Sequence, residues 1–264
     1  MLWGVTIRMI AAVLFALIGI TPPLVQGIDH VPVAVADLEA AGARYRALGF
    51  SLKPGRPHAN GIRNLHAKFP DGTEIELITA PAAVDPLTRR YRAHLEAGDG
   101  PAFLALFASP DVRPEARMTA ARVRVPDYFF FGPRQASPTD QPEHFAHANS
   151  AYALTRVWLA DDDLSAERRL LEALGAAFRR ERADFPDPVL AEIAEFPQGS
   201  VALLAGAHQA VRGRRIAGIT VAVRDLDAAA ALAGTSARRT ASSVFVDPRI
   251  AAGYRLEFRR PSAR

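Results

Sequence analysis

His30 and Glu76 are the side chains whose types and placement point most directly to chemistry. In the stretch 28–35, His30 falls on the face opposite the alternating valines, and in 73–79, Glu76 falls on the face opposite the aliphatic residues. Both side chains can therefore point away from a hydrophobic core. An imidazole and a carboxylate are suitable ligands for Zn, Mn, Ni or Fe(II), and they are also groups that commonly transfer protons.

Each of these residues also has a purely structural interpretation. His30 follows Asp29 and can be a hydrogen-bonded strand histidine, and Glu76 can be a solvated acid at a sheet edge. Glu74 lies two residues earlier on the same predicted strand and serves as the internal comparison for Glu76. The residue types alone leave these alternatives open.

The elements that would position the pair follow from local patterns. Asp37 is a predicted N-cap for a helix whose apolar residues recur at helical spacing, and Gly49 is the predicted stop. Three short extended pieces follow, with an Asp71-Gly72 turn before the last of them. This segment therefore reads as strand, helix and three strands.

The same order of elements recurs along the chain. The phrase V-A-V-x-D-L at 33–38 returns at 221–226, and a strand, an Asp and a helix ending at Gly175 form another copy. Four such units account for most of the sequence, near residues 27–80, 98–149, 152–206 and 214–260. The repeat predicts an α+β fold of four βαβββ modules.

Several motifs of this repeat resemble a known superfamily. The opening G-I-D-H-V and the run G-R-P-H-A-N-G-I-R-N, followed by D-G-T-E-I-E-L-I within 55–78, resemble the vicinal oxygen chelate superfamily, in particular its glyoxalase-like domain proteins. The segments DYFFFGPRQ (127–135) and HFAHANSAYAL (144–154) are similar to a subgroup with an F-F-F segment and then H-x-N-G-A. The resemblance implies that the modules pair into two cup-shaped half-barrels, as in glyoxalase or dihydroxybiphenyl dioxygenase folds. Modules 1 and 2 would form a glyoxalase-like domain at 27–149, and modules 3 and 4 a second one at 150–264.

The resemblance also implies a site in the first cup. A divalent metal, whether Zn, Mn, Ni or Fe, would bind His30 and Glu76, and Glu76 would also be the catalytic residue that moves a proton. The subgroup pattern further implies four substrate-binding residues, which are His58, Asn64, His147 and Asn149. The alternatives are that the first two shape a loop and that the last two form an inter-domain turn.

The ligand set is incomplete elsewhere in the chain. Residues 100–110 contain no His or acid in the first half of module two, so one of Glu143, His144 and His147 would have to complete the set. In the second cup, Arg156 and Gly218 stand where His30 would be. Leu203 and Glu257 stand at the Glu76 position, and Arg156 with Glu257 is predicted to be an ion pair in an empty cup.

Two functions follow from this pattern. The resemblance implies a metal-dependent lyase/isomerase or dioxygenase that acts on a small oxygenated substrate through enediolate-type chelation. The alternative is a non-catalytic protein of the same fold that binds or sequesters a small molecule. The incomplete ligand set favours this alternative, whereas the retained pair of His30 and Glu76 favours the enzyme. The sequence does not determine the oligomeric state, a homodimer being one option.

Composition and the N-terminus set further limits. The 32 basic and 28 acidic residues give a net charge of +4, and the basic residues are dispersed, which argues against nucleic-acid binding. No cysteine is present, so disulfides and thiolate sites are excluded. An apolar run from residue 10 to 20 behind Arg8 predicts a signal peptide or hydrophobic leader at 1–26, hence an exported protein, periplasmic or secreted, with no stable span in the mature chain. An uncleaved anchor or a mis-assigned start codon, which would leave the protein cytoplasmic, are the alternatives.

Overall fold

A computed structural model of the protein describes residues 23–134 and 136–261. The predicted leader at 1–26 lies almost entirely outside the described residues. Val25 and Gln26 already belong to the first strand. In the part of the chain that the structure describes, every helix is too short or too polar to cross a membrane.

The first sheet is built from the N-terminal half of the described chain. Its strand order is β2-β3-β4-β1-β6-β7, with β5 paired to the end of β1. The strands β1 and β4 are parallel neighbours, and β1 pairs antiparallel with β6. The elements are β1 (Val25–Ala34), α1 (Leu38–Ala47), β2 (Lys53–Pro54), β3 (Arg63–Lys68), β4 (Glu74–Thr79), α2 (Pro86–Leu95), β5 (Gly100–Pro101), β6 (Leu104–Ala108), α3 (Pro114–Ala120), β7 (Phe129–Gly132) and a 3₁₀ turn (Pro142–Phe145).

The second sheet has the order β13-β14-β15-β12-β8-β11-β10-β9. Its central strands β8 and β12 are antiparallel, and each has the last strand of its own module as a parallel neighbour. The elements are β8 (Ala151–Ala160), α4 (Ser165–Ala173), β9 (Ala177–Asp184), β10 (Pro188–Glu195), β11 (Ser200–Leu204), a 3₁₀ turn (Gly206–His208), β12 (Ile216–Val223), α5 (Leu226–Ala233), β13 (Arg238–Arg239), β14 (Ser243–Val246) and β15 (Arg255–Arg259).

Both sheets curl into half-barrels, and three modules have the predicted order of strand, helix and three strands. The second module differs. After β6 and α3, its described residues form only β7 before the 3₁₀ turn. The first cup therefore has fewer strands on the module-two side, and the segment 136–139 lies over the cup there.

The local signals that start and stop the first helix act as predicted. The Asp37 carboxylate accepts a hydrogen bond of 2.9 Å from the backbone N–H of Ala40, which satisfies one free donor of the first turn. Gly49 has a φ of +88°, a left-handed conformation that a residue without a side chain adopts at little cost.

One hydrophobic core joins the two sheets. The inward faces of the strands and helices α1, α4 and α5 contribute to it, and the rings of Phe50 and Phe258 lie 5.6 Å apart across the junction. The hydroxyl groups of Tyr45 and Tyr254 form a buried hydrogen bond at the same junction. Since Val31 and Val33 of β1 face this core, period-2 alternation places His30 on the opposite, concave face.

His94, at the end of α2, predicts how stability depends on pH. Burial, together with the nearby Arg214 cation, lowers the pKa of His94 from 6.5 to about 4. The folded protein therefore binds fewer protons than the unfolded chain between these values. We expect the free energy of unfolding to fall as pH drops from 6.5 towards 4, by up to about 3 kcal/mol from this group.

Denaturant unfolding of the protein and of His94→Gln at several pH values would check this expectation. The Gln variant should have a flatter profile over the same range. A variant whose stability falls as steeply as that of the unaltered protein would show that other groups cause the acid sensitivity.

Candidate functional site

His30 and Glu76 lie side by side on the concave face of the first sheet. The register of β1 against β4 pairs His30 with Glu74 and Pro32 with Glu76, so the imidazole and the Glu76 carboxylate project from the same face. His30 Nε2 and Glu76 Oε2 are 3.7 Å apart. The predicted placement of the pair, on one face and close together, is what the structure has.

A second contact orients the imidazole. Its Nδ1 is 2.7 Å from the Asp29 carboxylate, and Arg134 Nε lies 3.2 Å from the other oxygen of Asp29. Phe130 packs its ring edge-on against the imidazole, with the centroids 5.3 Å apart. Burial alone would lower the pKa of His30, but the hydrogen bond to Asp29 and the negative charge of Glu76 outweigh it and raise the pKa.

A hydrogen bond also fixes the orientation of the Glu76 carboxylate. Asn64 Nδ2 donates a hydrogen bond of 2.6 Å to Oε1, which leaves Oε2 on the side of His30. Asn64 itself is buried against Gly55, where an added Cβ would come within 1.6 Å of Asn64 Oδ1. Gly55 is therefore needed for this close approach, which orients the amide.

Both groups line a cavity of about 450 Å³. Its wall combines the concave faces of β3 and β4, the segment around β2 and the residues 136–139. The sequence-predicted residues His58 and Asn64 line the cavity as well, together with Lys53, His66, Lys68 and Glu74, which were not predicted. Substrate binding by His58 and Asn64 stays a prediction, now with a cavity that could serve it.

Glu74 differs from Glu76 although both face the cavity. Its carboxylate lies 3.1 Å from His66 Nδ1 and 3.3 Å from Lys68 Nζ. Burial would raise the pKa of Glu74, but the contacts to His66 and the charges of His30 and Lys68 lower it to about 2. A carboxylate this well paired is a weak base at neutral pH.

A divalent metal fits this site only in part. An ion about 2.1 Å from each of two donors allows them to be up to about 4.2 Å apart, so the 3.7 Å between His30 Nε2 and Glu76 Oε2 permits a shared ion. On the module-two side of the cup, Ala105 of β6 is the register partner of His30, and the Phe130 ring of β7 contacts the imidazole. Neither side chain can bind a metal. Among the described residues, no three His, Asp or Glu side chains are grouped as a ligand set.

The structure gives His147 a different role from the predicted one. Its Nδ1 accepts a hydrogen bond of 3.0 Å from the Ser51 N–H, and its Nε2 lies 2.8 Å from the Lys68 carbonyl oxygen. The ring packs against Phe50 and Phe69. Both ring nitrogens are thus engaged by backbone, and His147 is not among the residues that line the cavity, which agrees with the alternative that this segment forms an inter-domain turn. Substrate or metal binding by His147 stays a prediction without support from this geometry.

Asn149 and the neighbouring candidates also lie away from the cavity. Asn149 is fully buried, donates to the Leu48 carbonyl at 2.8 Å and accepts from the Ala151 N–H, so it links the segment after α1 to the start of β8. Glu143 and His144 form the 3₁₀ turn, where His144 Nδ1 accepts from the Gln141 N–H. None of the three lines the cavity.

The concave face of the second sheet carries a cluster of buried apolar side chains. Trp158 stacks on Phe185 with centroids 4.6 Å apart inside it. The predicted pair of Arg156 and Glu257 does not form. Arg156 pairs with Glu181 at 3.3 Å, because β9 brings that acid across the cup.

Glu257 has its own partners. It accepts short hydrogen bonds from the hydroxyls of Thr220 and Ser243. The register pairs Arg156 with Ser200, so Ala202, and not Leu203, stands at the Glu76 position of β11. No described pair in this cup therefore resembles His30 and Glu76.

Lys53, Lys68 and Asp140 are the functional candidates that the sequence patterns missed. Lys53 Nζ lies 2.5 Å and Lys68 Nζ 3.2 Å from the Asp140 carboxylate. One signal was visible in the sequence, since Lys53 and Lys68 are the only two lysines among 32 basic residues. The Asp140 contact has no local signal, since it spans more than 70 residues.

Comparisons with known proteins agree with this fold. Residues 28–127 match the family model described as a glyoxalase-like domain. No curated protein matches the sequence of the chain. These findings and the structural relatives below confirm the resemblance to the vicinal oxygen chelate superfamily.

Three solved structures show the fold. A variant of 4-hydroxymandelate synthase from Streptomyces coelicolor is 17% identical, with a TM-score of 0.64 over 92% of this chain and 94% of that chain. Homoprotocatechuate 2,3-dioxygenase from Brevibacterium fuscum, in complex with 3,4-dihydroxyphenylacetate, is 14% identical, with a TM-score of 0.56 over 92% and 83% of the two chains. A xylose isomerase-like TIM barrel/4-hydroxyphenylpyruvate dioxygenase fusion protein is 14% identical, with a TM-score of 0.63. The match covers 93% of this chain, which spans 50% of the length of the fusion protein.

Proposed function

We propose that this protein, whose fold is that of the vicinal oxygen chelate superfamily, is an enzyme that binds a small oxygen-rich molecule in the first cup and transfers a proton with His30 and Glu76. The observation that carries the proposal is the 3.7 Å approach of His30 Nε2 to Glu76 Oε2 at the wall of a 450 Å³ cavity. Each group has a separate partner that fixes its orientation, which is a common arrangement for catalytic side chains.

The two groups suit opposite roles in one reaction. Glu76 Oε2 would remove a proton from a carbon next to a carbonyl, so that the C–H bond breaks and an O–H bond forms on the carboxylate. The electron pair moves onto the carbonyl oxygen as an enolate or enediolate. His30 Nε2, with Asp29 on the other nitrogen, would donate a hydrogen bond to that oxygen as its charge develops. Where the deprotonated carbon carries a hydroxyl group, transfer of its O–H proton to the enolate oxygen and return of the carbon-bound proton to the former carbonyl carbon give isomerase chemistry. Departure of a leaving group from the carbon next to the enolate, with its electron pair, gives lyase chemistry.

A divalent ion is the finer form of this proposal. His30 and Glu76 would hold it, water or substrate oxygens would take its other positions, and when bound it would polarise the substrate oxygens as a Lewis acid. Metal analysis of the purified protein and of His30→Ala tests this form separately. About one ion per chain that is lost in the variant supports it, and equal metal content in both rejects it.

A binding protein without catalysis is the second candidate. The apolar side chains next to His30 on the module-two side of the cup favour it. Ala105 and Phe130 supply contact area but no chemistry on that side. In this case small oxygenated acids would raise the Tm of the protein even after chelator treatment, and no bond in the ligand would change.

Exchange of carbon-bound hydrogen separates the two candidates. Pyruvate, 2-oxobutyrate and hydroxypyruvate would be incubated with the protein in D₂O and followed by proton NMR at C3. Enzyme-dependent loss of the C3 signal from any of them is expected. Stabilisation by these acids with no exchange beyond the rate in buffer would favour the binding protein and contradict the proposed enzyme.

A further inference from the structure

The two lysines of the chain meet at one place. Of 32 basic residues in the sequence, only Lys53 and Lys68 are lysines, and they lie on the adjacent strands β2 and β3 at the cavity wall. Lysine presents a compact ammonium with three donors, whereas arginine presents a broad planar fork, so the two are not interchangeable in a narrow site. All the other basic residues counted here are arginines, so the only ammonium side chains of the sequence lie at the candidate site.

Both ammonium groups bind the same carboxylate, that of Asp140. Lys53 Nζ lies 2.5 Å from Oδ1, and Lys68 Nζ lies 3.2 Å from Oδ2. The backbone N–H of Ser137 donates to Oδ2 at 3.1 Å, and the Ser137 hydroxyl accepts from Lys53 at 2.9 Å. Each oxygen of the carboxylate is therefore bound by a different donor, which matches the shape of a carboxylate group.

The cavity wall carries more permanent cations than carboxylates. Its lining includes Lys53, Lys68 and Arg56 but only two acids, Glu74 and Glu76. Asp140 is not among the lining residues and binds the two ammonium groups next to the segment 136–139. Lys53 is 7% exposed, and a buried ammonium without a partner is costly. One carboxylate can replace another here without changing the charge balance.

We propose that Lys53 and Lys68 form the site that receives the carboxylate of the substrate, and that Asp140 occupies this site in the free protein. The substrate is then a small carboxylic acid, and its carboxylate displaces the Asp140 side chain while its carbonyl lies towards His30 and Glu76 along the same cavity. This assignment rests on the proposed function of the first cup, and it adds the chemical class of the substrate to it.

The first test removes the internal carboxylate and supplies one from solution. In Asp140→Ala, formate should raise the Tm saturably, by roughly 3 °C at ten times its dissociation constant, and chloride at the same ionic strength should not. The matched double variant Asp140→Ala with Lys53→Met should lose the response. A missing response in the single variant, or an equal response to phosphate, would overturn the assignment.

A second variant covers the case in which Asp140→Ala does not fold. Asp140→Asn keeps the size of the side chain and removes the charge that competes with a ligand. Calorimetric titration with malonate should show at least roughly tenfold tighter binding to Asp140→Asn than to the unaltered protein, and weaker binding to Lys68→Met. Equal affinities for the Asn variant and the unaltered protein would reject the carboxylate site.

The two proposals fail in different ways. Loss of C3 exchange with an intact formate or malonate response would reject the acid–base role of His30 and Glu76 and leave the carboxylate site standing. Exchange that proceeds while both carboxylate responses are absent would reject the Lys53–Lys68 site alone.

Discussion

Replacing Glu76 by Gln is expected to lower the rate of C3 exchange in a bound 2-oxo acid by roughly 10²–10⁴-fold. The amide keeps the size of the side chain and can still accept the hydrogen bond of 2.6 Å from Asn64. It cannot take up the proton, because an amide is not a base at neutral pH. Proton NMR in D₂O gives the rate, and denaturant unfolding of the same samples checks that the fold is kept.

Glu74→Gln is the matched control for this prediction, since Glu74 lies on the same strand and the same face. Its contacts to His66 and Lys68 hold its pKa at about 2, so it is a poor base and its loss should change kcat by less than roughly tenfold. KM can change, because Lys68 loses a partner. A larger drop in kcat for Glu74→Gln than for Glu76→Gln would contradict the assignment of the base.

Replacing Gly253 by Ala is expected to destabilise the protein by about 2–5 kcal/mol. Gly253 has a φ of +85°, and an added Cβ would lie 2.0 Å from the carbonyl oxygen of Asp99, which precedes β5 of the first sheet. That carbonyl cannot move aside easily, because it accepts a hydrogen bond from Arg214 while the Asp99 carboxylate accepts from the Ala36 N–H. The free energy of unfolding in urea measures the effect.

Gly213→Ala separates the two causes of this loss. Gly213 has a φ of +81° but no atom within 4 Å of an added Cβ, so only the conformational cost of about 1–2 kcal/mol applies. The difference between the two variants is then the cost of the clash between the added Cβ and the Asp99 carbonyl. Equal losses would show that the contact between Gly253 and Asp99 contributes nothing to stability.

The sequence by itself determined the local parts of the molecule. Alternation in 28–35 and 73–79 assigned His30 and Glu76 to the face opposite the core, and the structure has them there because neighbouring side chains in a strand point to opposite sides. Asp37 and Gly49 bounded the first helix correctly, since a cap depends on groups within one turn. The repeat predicted the order of strand, helix and three strands that three modules have, and the resemblance to a known superfamily supplied the half-barrels.

Only the tertiary structure decided how distant segments meet. Asp140 lies 87 residues from Lys53, and His147 binds backbone 79 residues away, so no local period could place either of them. A carboxylate or imidazole has the same sequence signature whether it lines a cavity or joins two domains. The difference is set by chain closure and packing across the cup. This is why the position of His30 and Glu76 was predictable, whereas the contact of Asp140 with the two lysines was not, and why the sequence left two alternatives open for His147.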